Sequence, residues 1–309
     1  MTPSIRRIRP GVVSGLLAAV LLVVLPPPAG NASTTPSAAQ VVAPQVTPAS
    51  TIRGVDTSHF QHPNNTAINW AAVAGSGRSF AFMKATQGTT FVDPFFATDL
   101  TSAAAVGLYR APYHFLTADD PAAQATFFIQ TIRNDGYTGH GSRDLPPAID
   151  VEFAAGGGCP GFTAASVLTF ANLVRSAFGR TPVLYTQQSF VNGCLGGSSA
   201  LAGMLLWTID LSQNPPRLAP GYTTWTFWQF GTATVPGISA AADTDAFNGS
   251  LAGLASLTGA GTGGFGYYNP ADGTMHVRNA LNSSGPWDAQ WVTNWPAGAV
   301  PLTGDWDGM

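Results

Sequence analysis

Asp150 and Glu152 stand two residues apart in "LPPAIDVEF" (145–153), an otherwise apolar run. In an extended strand, side chains at i and i+2 share a face, so the two carboxyls point together and Val151 and Phe153 point the other way. Two like charges on one face push their pKa values apart, one rising while the other stays low. A proton donor beside an anion is what acid/base chemistry on a sugar, an ester or a phosphate requires. The alternative is an ion pair with a nearby arginine, or a strand end that reaches solvent. Charge is scarce in this chain: Asp, Glu, Lys and Arg make up 9% of it, and Lys84 is its single lysine. Against about 25% in an average soluble protein, each acid in an apolar run calls for a reason.

The elements that position this pair follow a repeating rhythm. Extended, β-rich runs occur at 52–56, 79–86, 108–115, 146–153, 181–187, 205–211, 224–230 and 243–247. Helical patterns fall between the first five, around 67–75, 94–106, 120–135 and 163–178, the last with Thr163 as its N-cap. After the fifth strand the helical signal fades, and "SQNPPRLAPGYT" is too proline-rich for a long helix. Alternating strands and helices predict an α/β fold with a mostly parallel sheet. Eight strands in some 200 residues favour a closed barrel over an open doubly wound sheet. No Gly-x-Gly-x-x-Gly follows the first strand, which leaves nucleotide binding without support. In such a barrel, functional side chains gather at the C-terminal strand ends. Asp56, His114, Asp150, Glu152, Tyr185, Gln229 and Asp243 all fall there, which favours a functional rim over scattered ion pairs.

Composition sets the remaining bounds. The chain has 309 residues, 45% of them hydrophobic, with a net charge of -3, so no basic footprint argues for nucleic acid. Arg6, Arg7 and Arg9 precede an apolar run from about Gly11 to Leu25, then prolines and "AGNAS". This predicts a secretory signal over 1–32, cleaved near Ala32. The alternative, a membrane anchor, needs an apolar run of about 20 residues, and this one is shorter. The mature protein is expected to be secreted, without stable membrane insertion. Cys159 and Cys194, the only cysteines, fit an oxidising compartment and can form one disulfide; the alternative is two buried thiols. Residues 33–50 read as a Ser/Thr/Pro/Ala-rich linker.

Together, "GVDTSHFQ", "FAFMKATQG", "YRAPYHF", "AIDVE", "VLYT", "LLW", "FWQF" and "DTDAF" resemble glycoside hydrolase family 25, the Chalaropsis-type lysozymes or N-acetylmuramidases, in order and spacing. The resemblance covers roughly residues 52–250, the whole barrel, whose domain is taken as 51–257. It implies an irregular TIM-like (β/α)5(β)3 barrel that cleaves the β-1,4 bond between N-acetylmuramic acid and N-acetylglucosamine in peptidoglycan. Separately, residue spacing suggests no metal site, no cofactor is expected, and the protein is expected to be a monomer. The resemblance makes Glu152 the general acid/base and Asp150 the carboxylate that attacks or assists at the anomeric carbon. Asp56 and Asp243 become two further rim acids. Tyr113, His114, Tyr185, Trp207 and Gln229 line the substrate groove, with Lys84 as electrostatic partner of the acids. The aromatics Tyr113, Tyr185, Trp207 and Trp228 either stack on sugars or pack in the core; for Trp228 the core is expected, because Gln229 should point the opposite way.

The chain departs from the family pattern at Gln87, where Glu is frequent after "KAT", and at Asp245, where Asn is usual. It departs again after Trp207, where "TIDLS" adds Asp210 near the same rim. A Gly-rich linker (258–264) leads to a short β-rich piece (265–309) that resembles part of one repeat unit of secreted actinobacterial proteins. Its Asp305 and Asp307 alone make a weak calcium loop. The rival reading of the whole chain is a catalytically weak barrel that binds wall glycans. A chitinase-like hydrolase ranks last, because "DLPPAIDVE" lacks that family's middle acids.

Overall fold

The computed structural model describes residues 52–154 and 156–259, with three strands at 265–269, 274–278 and 289–292. The expected signal peptide and first linker lie outside the described residues, as do Asp305 and Asp307. Eight strands close into a barrel: β1 (Arg53–Thr57), β2 (Arg78–Gln87), β4 (Tyr109–Phe115), β5 (Ala148–Asp150), β6 (Val183–Thr186), β7 (Leu205–Ile209), β8 (Phe227–Thr234) and β9 (Ala241–Phe247). Strands β1 to β8 run parallel in that order, and β9 inserts antiparallel between β8 and β1. A two-residue strand, β3 (Phe91–Val92), adds to the end of β2. Helices α1 (Trp70–Gly75), α2 (Phe96–Ala105), α3 (Pro121–Asn134) and α4 (Ala164–Phe178) follow β1, β3, β4 and β5. Two shorter ones, α5 (Gln188–Cys194) and α6 (Leu251–Ser256), complete the set. The strands β10 (Phe265–Asn269), β11 (Thr274–Arg278) and β12 (Ala289–Val292) form a separate antiparallel sheet, matching the β-rich reading of that piece. Among the described residues no helix is long and apolar enough to cross a membrane.

Local chemistry explains the best-formed helix. Thr163 accepts from the Ser166 N–H while Ser166 Oγ reaches back to the Thr163 N–H, a reciprocal cap. Gly179, with φ 65°, ends the helix in the left-handed region that glycine enters freely. The sequence reading missed α5. Its seven residues, one of them Gly193, carry too little period to declare a helix.

Two apolar layers follow from strand alternation. One set packs outward against the helices, including Met83, Ile149 and Leu206. The other fills the barrel, including Phe80, Phe82, Val183, Phe227 and Phe247. Phe82 stacks on Trp207 with centroids 4.0 Å apart, and meets Phe227 edge-on at 5.0 Å. This aromatic floor lies so close to β1 that a Cβ on Gly54 would come within 2.3 Å of the Phe80 ring.

The β8–β9 turn docks on the start of α1. Asn69, the N-cap of α1, donates its backbone N–H to Gly237 O at 2.8 Å. Gly237 has φ +94°, and a Cβ there would sit 2.3 Å from Asn69 O. Gly237→Ala combines left-handed strain with a backbone clash. It should lower stability by about 3 kcal/mol, the sum of those two effects, read as a fall in the urea unfolding midpoint.

Candidate active site

The carboxyl-bearing strand ends converge on one cleft above the aromatic floor. It is lined by Asp56 from β1, Lys84 from β2, Tyr113 from β4, Asp150 and Glu152 from β5 and beyond, Tyr185 from β6, Trp207 from β7, Gln229 from β8 and Asp243 from β9. Strand β5 is only three residues long, so Glu152 sits two residues past its end rather than inside it. Backbone bonds still hold this stretch: Leu116 N–H donates to Asp150 O at 3.0 Å, and Val151 N–H to Tyr185 O at 2.9 Å. The loop that follows is tied by the Cys159–Cys194 disulfide to the end of α5.

The cleft is wired by directed hydrogen bonds. Tyr185 donates its hydroxyl to Gln229 Oε1 at 2.8 Å, and Gln229 Nε2 donates to Asp56 Oδ2 at 2.8 Å. Trp207 Nε1 donates to Asp245 Oδ1 at 2.8 Å, and Thr232 Oγ1 to Asp243 Oδ1 at 2.9 Å. Lys84 Nζ donates to Gln87 Oε1 at 2.7 Å and lies 4.8 Å from the Phe115 ring centre. Asp150 Oδ1 is buried and meets no donor among the described residues.

Burial of several acids together raises their pKa values. Asp56 is pushed up to about 8, first by burial and next by Asp243. Burial, then the Glu152 charge, holds Asp150 well above the usual carboxylate range, against the pull of Lys84. Glu152 is also raised, by burial first, with Lys84 opposing and Asp243 adding. Lys84 in turn is lowered by burial, and Asp150 counters that most strongly. Asp150 and Glu152 thus share protons as a unit, and the deeper Asp150 favours keeping one in the free protein. This corrects the expectation that one carboxyl of the pair rises while the other stays low: both are raised, and burial leads for each.

His114 is a correction. Tyr113 faces the cleft, so alternation turns His114 to the helix side of β4. There it is fully buried, 2.7 Å from Thr86 Oγ1 and 3.1 Å from Gln124 Oε1, and stacked on Phe170 at 4.7 Å. Burial lowers its pKa to about 3, so it is a neutral packing residue. Asp210 also leaves the rim set. It is buried and engaged by Arg217 Nε at 2.7 Å, on the loop after β7. Trp228 is in the core as expected, with no exposed surface and its Nε1 donating to Asp210 O at 2.9 Å.

Four residues that line the cleft were missed: Ser58, Phe60, Gln61 and Phe115. Phe60, on the turn after β1, lines the cleft and is 71% exposed. Tyr113, Tyr185 and Trp207 line it too but are nearly buried, so none offers a whole ring face. Phe60 lies 4.2 Å from the His59 ring, and Asp93 holds His59 through its backbone N–H at 2.9 Å and its Nδ1 at 2.8 Å. Phe115 closes another side of the cleft. Asp245 lies beneath it, fully buried against Trp207.

A closed barrel whose strand ends bring paired carboxyls and aromatic rings to one cleft has the architecture of a glycoside hydrolase. Residues 55–238 match the family described as "Glycosyl hydrolases family 25", and the chain belongs to that family. It is 35% identical over 221 residues to Lysozyme M1 of Streptomyces globisporus, covering 68% of this chain and 73% of that one. To the N,O-diacetylmuramidase of Chalaropsis sp it is 31% identical over 219 residues, covering 67% and 99%. The crystal structure of the bacterial lysozyme from Streptomyces coelicolor superposes with a TM-score of 0.63 at 33% identity, covering 68% of this chain and 98% of that one.

Proposed function

We propose that this glycoside hydrolase cleaves the β-1,4 bond between N-acetylmuramic acid and N-acetylglucosamine in peptidoglycan. The observation that carries the reading is the Asp150–Glu152 pair, raised by burial and balanced by Lys84 in the barrel cleft. The relatives named lysozyme and diacetylmuramidase support the substrate class. Glu152, nearer the cleft opening than Asp150, gives its proton to the glycosidic oxygen as the bond to the anomeric carbon breaks. The substrate's acetamido oxygen closes on that carbon, and its N–H points at Asp150. Asp150 Oδ1, which meets no donor among the described residues, suits this contact. Accepting that N–H favours ionised Asp150 and leaves the pair's proton on Glu152. Water then opens the ring at the anomeric carbon and returns a proton to Glu152. Asp56 and Asp243 keep the cleft acidic around the cationic transition state. Export through the 1–32 signal suits this substrate and the disulfide. The test is release of muramic-acid reducing ends from purified peptidoglycan; a protein that sediments with walls yet releases none is a binder, not this enzyme.

Phe60 supplies the open ring face that the buried aromatics lack, and it serves as a platform for a sugar at the cleft edge. Phe60→Ala should raise KM about fivefold, the worth of one aromatic stacking contact, with kcat nearly unchanged. Steady-state kinetics on soluble glycan fragments separate the two constants.

A further inference from the structure

We propose that Asp245 is a positioning residue that works as a neutral carboxylic acid, donating its proton to Asp56 and fixing that carboxyl at the cleft. The protonation does not depend on the muramidase reading; its effect on turnover does.

The argument starts from register. On β9, Asp245 pairs with Gly54 of β1 and with Gln229 of β8, while Asp243 pairs with Asp56. Asp245 and Asp56 are therefore diagonal neighbours on the inner face, with no side chain at Gly54 to separate them. Asp245 has no exposed surface, and its Oδ1 is taken by Trp207 Nε1 at 2.8 Å. Its Oδ2 is buried and meets no N–H or O–H donor among the described residues. What lies within hydrogen-bonding reach is the Asp56 carboxyl, itself an acceptor. Two buried carboxylates cannot face each other with both ionised, so a proton lies between them.

The wiring says which carboxyl carries it. Tyr185 fixes the Gln229 amide by donating to its oxygen, and the amide nitrogen is then committed to Asp56 Oδ2. Asp56 reaches the cleft, whereas Asp245 lies beneath it. The deeper group pays more to ionise and keeps the proton. The charged surroundings agree. Asp56 on β1, Asp243 on β9, and Asp150 and Glu152 at β5 are all acids, and Lys84 on β2 is the cation lining the cleft. Tyr113, Tyr185, Trp207 and Gln229 complete the wall as neutral groups. Burial first, and Asp56 next, hold Asp245 well above the usual carboxylate range.

The test uses Asp245→Asn and Asp245→Leu in the full chain. The carboxamide can still accept from Trp207 and donate to Asp56, so Asp245→Asn should cost no more than about threefold in kcat, less than one hydrogen bond. Asp245→Leu keeps the site apolar but removes the donor, and kcat should fall at least about tenfold, the loss of one charge-assisted bond. Two readouts need no substrate. Infrared difference spectra at neutral pH should show a protonated carboxyl band in wild type that Asp245→Asn removes. A raised folded pKa gives stability that is full below the unfolded pKa and lost as pH rises towards the folded value. The Tm of wild type should therefore fall behind that of Asp245→Asn from about pH 4, the ordinary carboxylate value, upward through neutrality. An unchanged infrared band with a pH-independent Tm difference overturns the neutral acid. Folded Asp245→Asn that loses turnover at every pH, or Asp245→Leu that keeps it, overturns the positioning role. Failure of the muramidase reading alone would leave the infrared and melting results as expected.

Discussion

Glu152→Gln should lower kcat on purified peptidoglycan by about 10³-fold, the midrange for removing a general acid, while KM stays close to wild type. The glutamine keeps the shape and the polarity of the side chain but has no proton to give the leaving oxygen. At about 1.4 kcal/mol per tenfold, the loss corresponds to some 4 kcal/mol of transition-state stabilisation. Instability will not explain it. Glu152 has a raised folded pKa, from burial first, so its ionisation opposes folding as pH rises above the ordinary value. A neutral glutamine escapes that penalty. The variant should melt at or above the wild-type temperature at neutral pH, and the difference should shrink as pH falls towards about 4, where the unfolded carboxyl is protonated too. A folded variant that keeps full turnover would move the acid role to Asp150 or Asp243.

The barrel could be read from the sequence because its strands and long helices carry strong, separate periods. The site was legible for a narrower reason. The i, i+2 rule placed Asp150 and Glu152 together, and it succeeded even though β5 ends at Asp150, because the chain stays extended enough for Glu152 to reach the same cleft. The rule gave no help with His114. Both faces of a parallel barrel strand are buried, one against helices and one inside, so "YRAPYHF" offers no polar/apolar contrast to show which of Tyr113 and His114 points inward. Strand β9 posed the same problem. Asp243 and Asp245 share a face, but only depth separates a cleft acid from one beneath it, and depth is not written in spacing. Phe60 escaped because it lies on a turn, where no period applies. Asp210 misled because its partner Arg217 lies seven residues on, across the proline-rich loop.

Asp150→Asn should reduce kcat by about 10²-fold, in line with removing one preorganised electrostatic contact to the reacting centre, and should change KM little. The carboxamide can still meet the substrate acetamido group. It cannot supply the negative charge that steadies that group as its oxygen closes on the anomeric carbon. The pH profile distinguishes this variant from Glu152→Gln. Asp150 and Glu152 share protons, so removing the Asp150 charge makes Glu152 easier to ionise, while its own burial, Lys84 and Asp243 remain. The alkaline limb, where Glu152 loses its proton, should therefore move to lower pH. The acid limb reflects protonation of Asp150, whose raised pKa costs activity as pH falls through it, and it should disappear in the variant. If Asp150 instead attacks the anomeric carbon itself, wild type will carry a covalent glycosyl ester during turnover. Rapid quench and intact-mass analysis would find it on the peptide holding Asp150. That adduct would replace assistance by direct attack, because a carboxylate joined to the sugar cannot at the same time hold the acetamido N–H that drives ring closure.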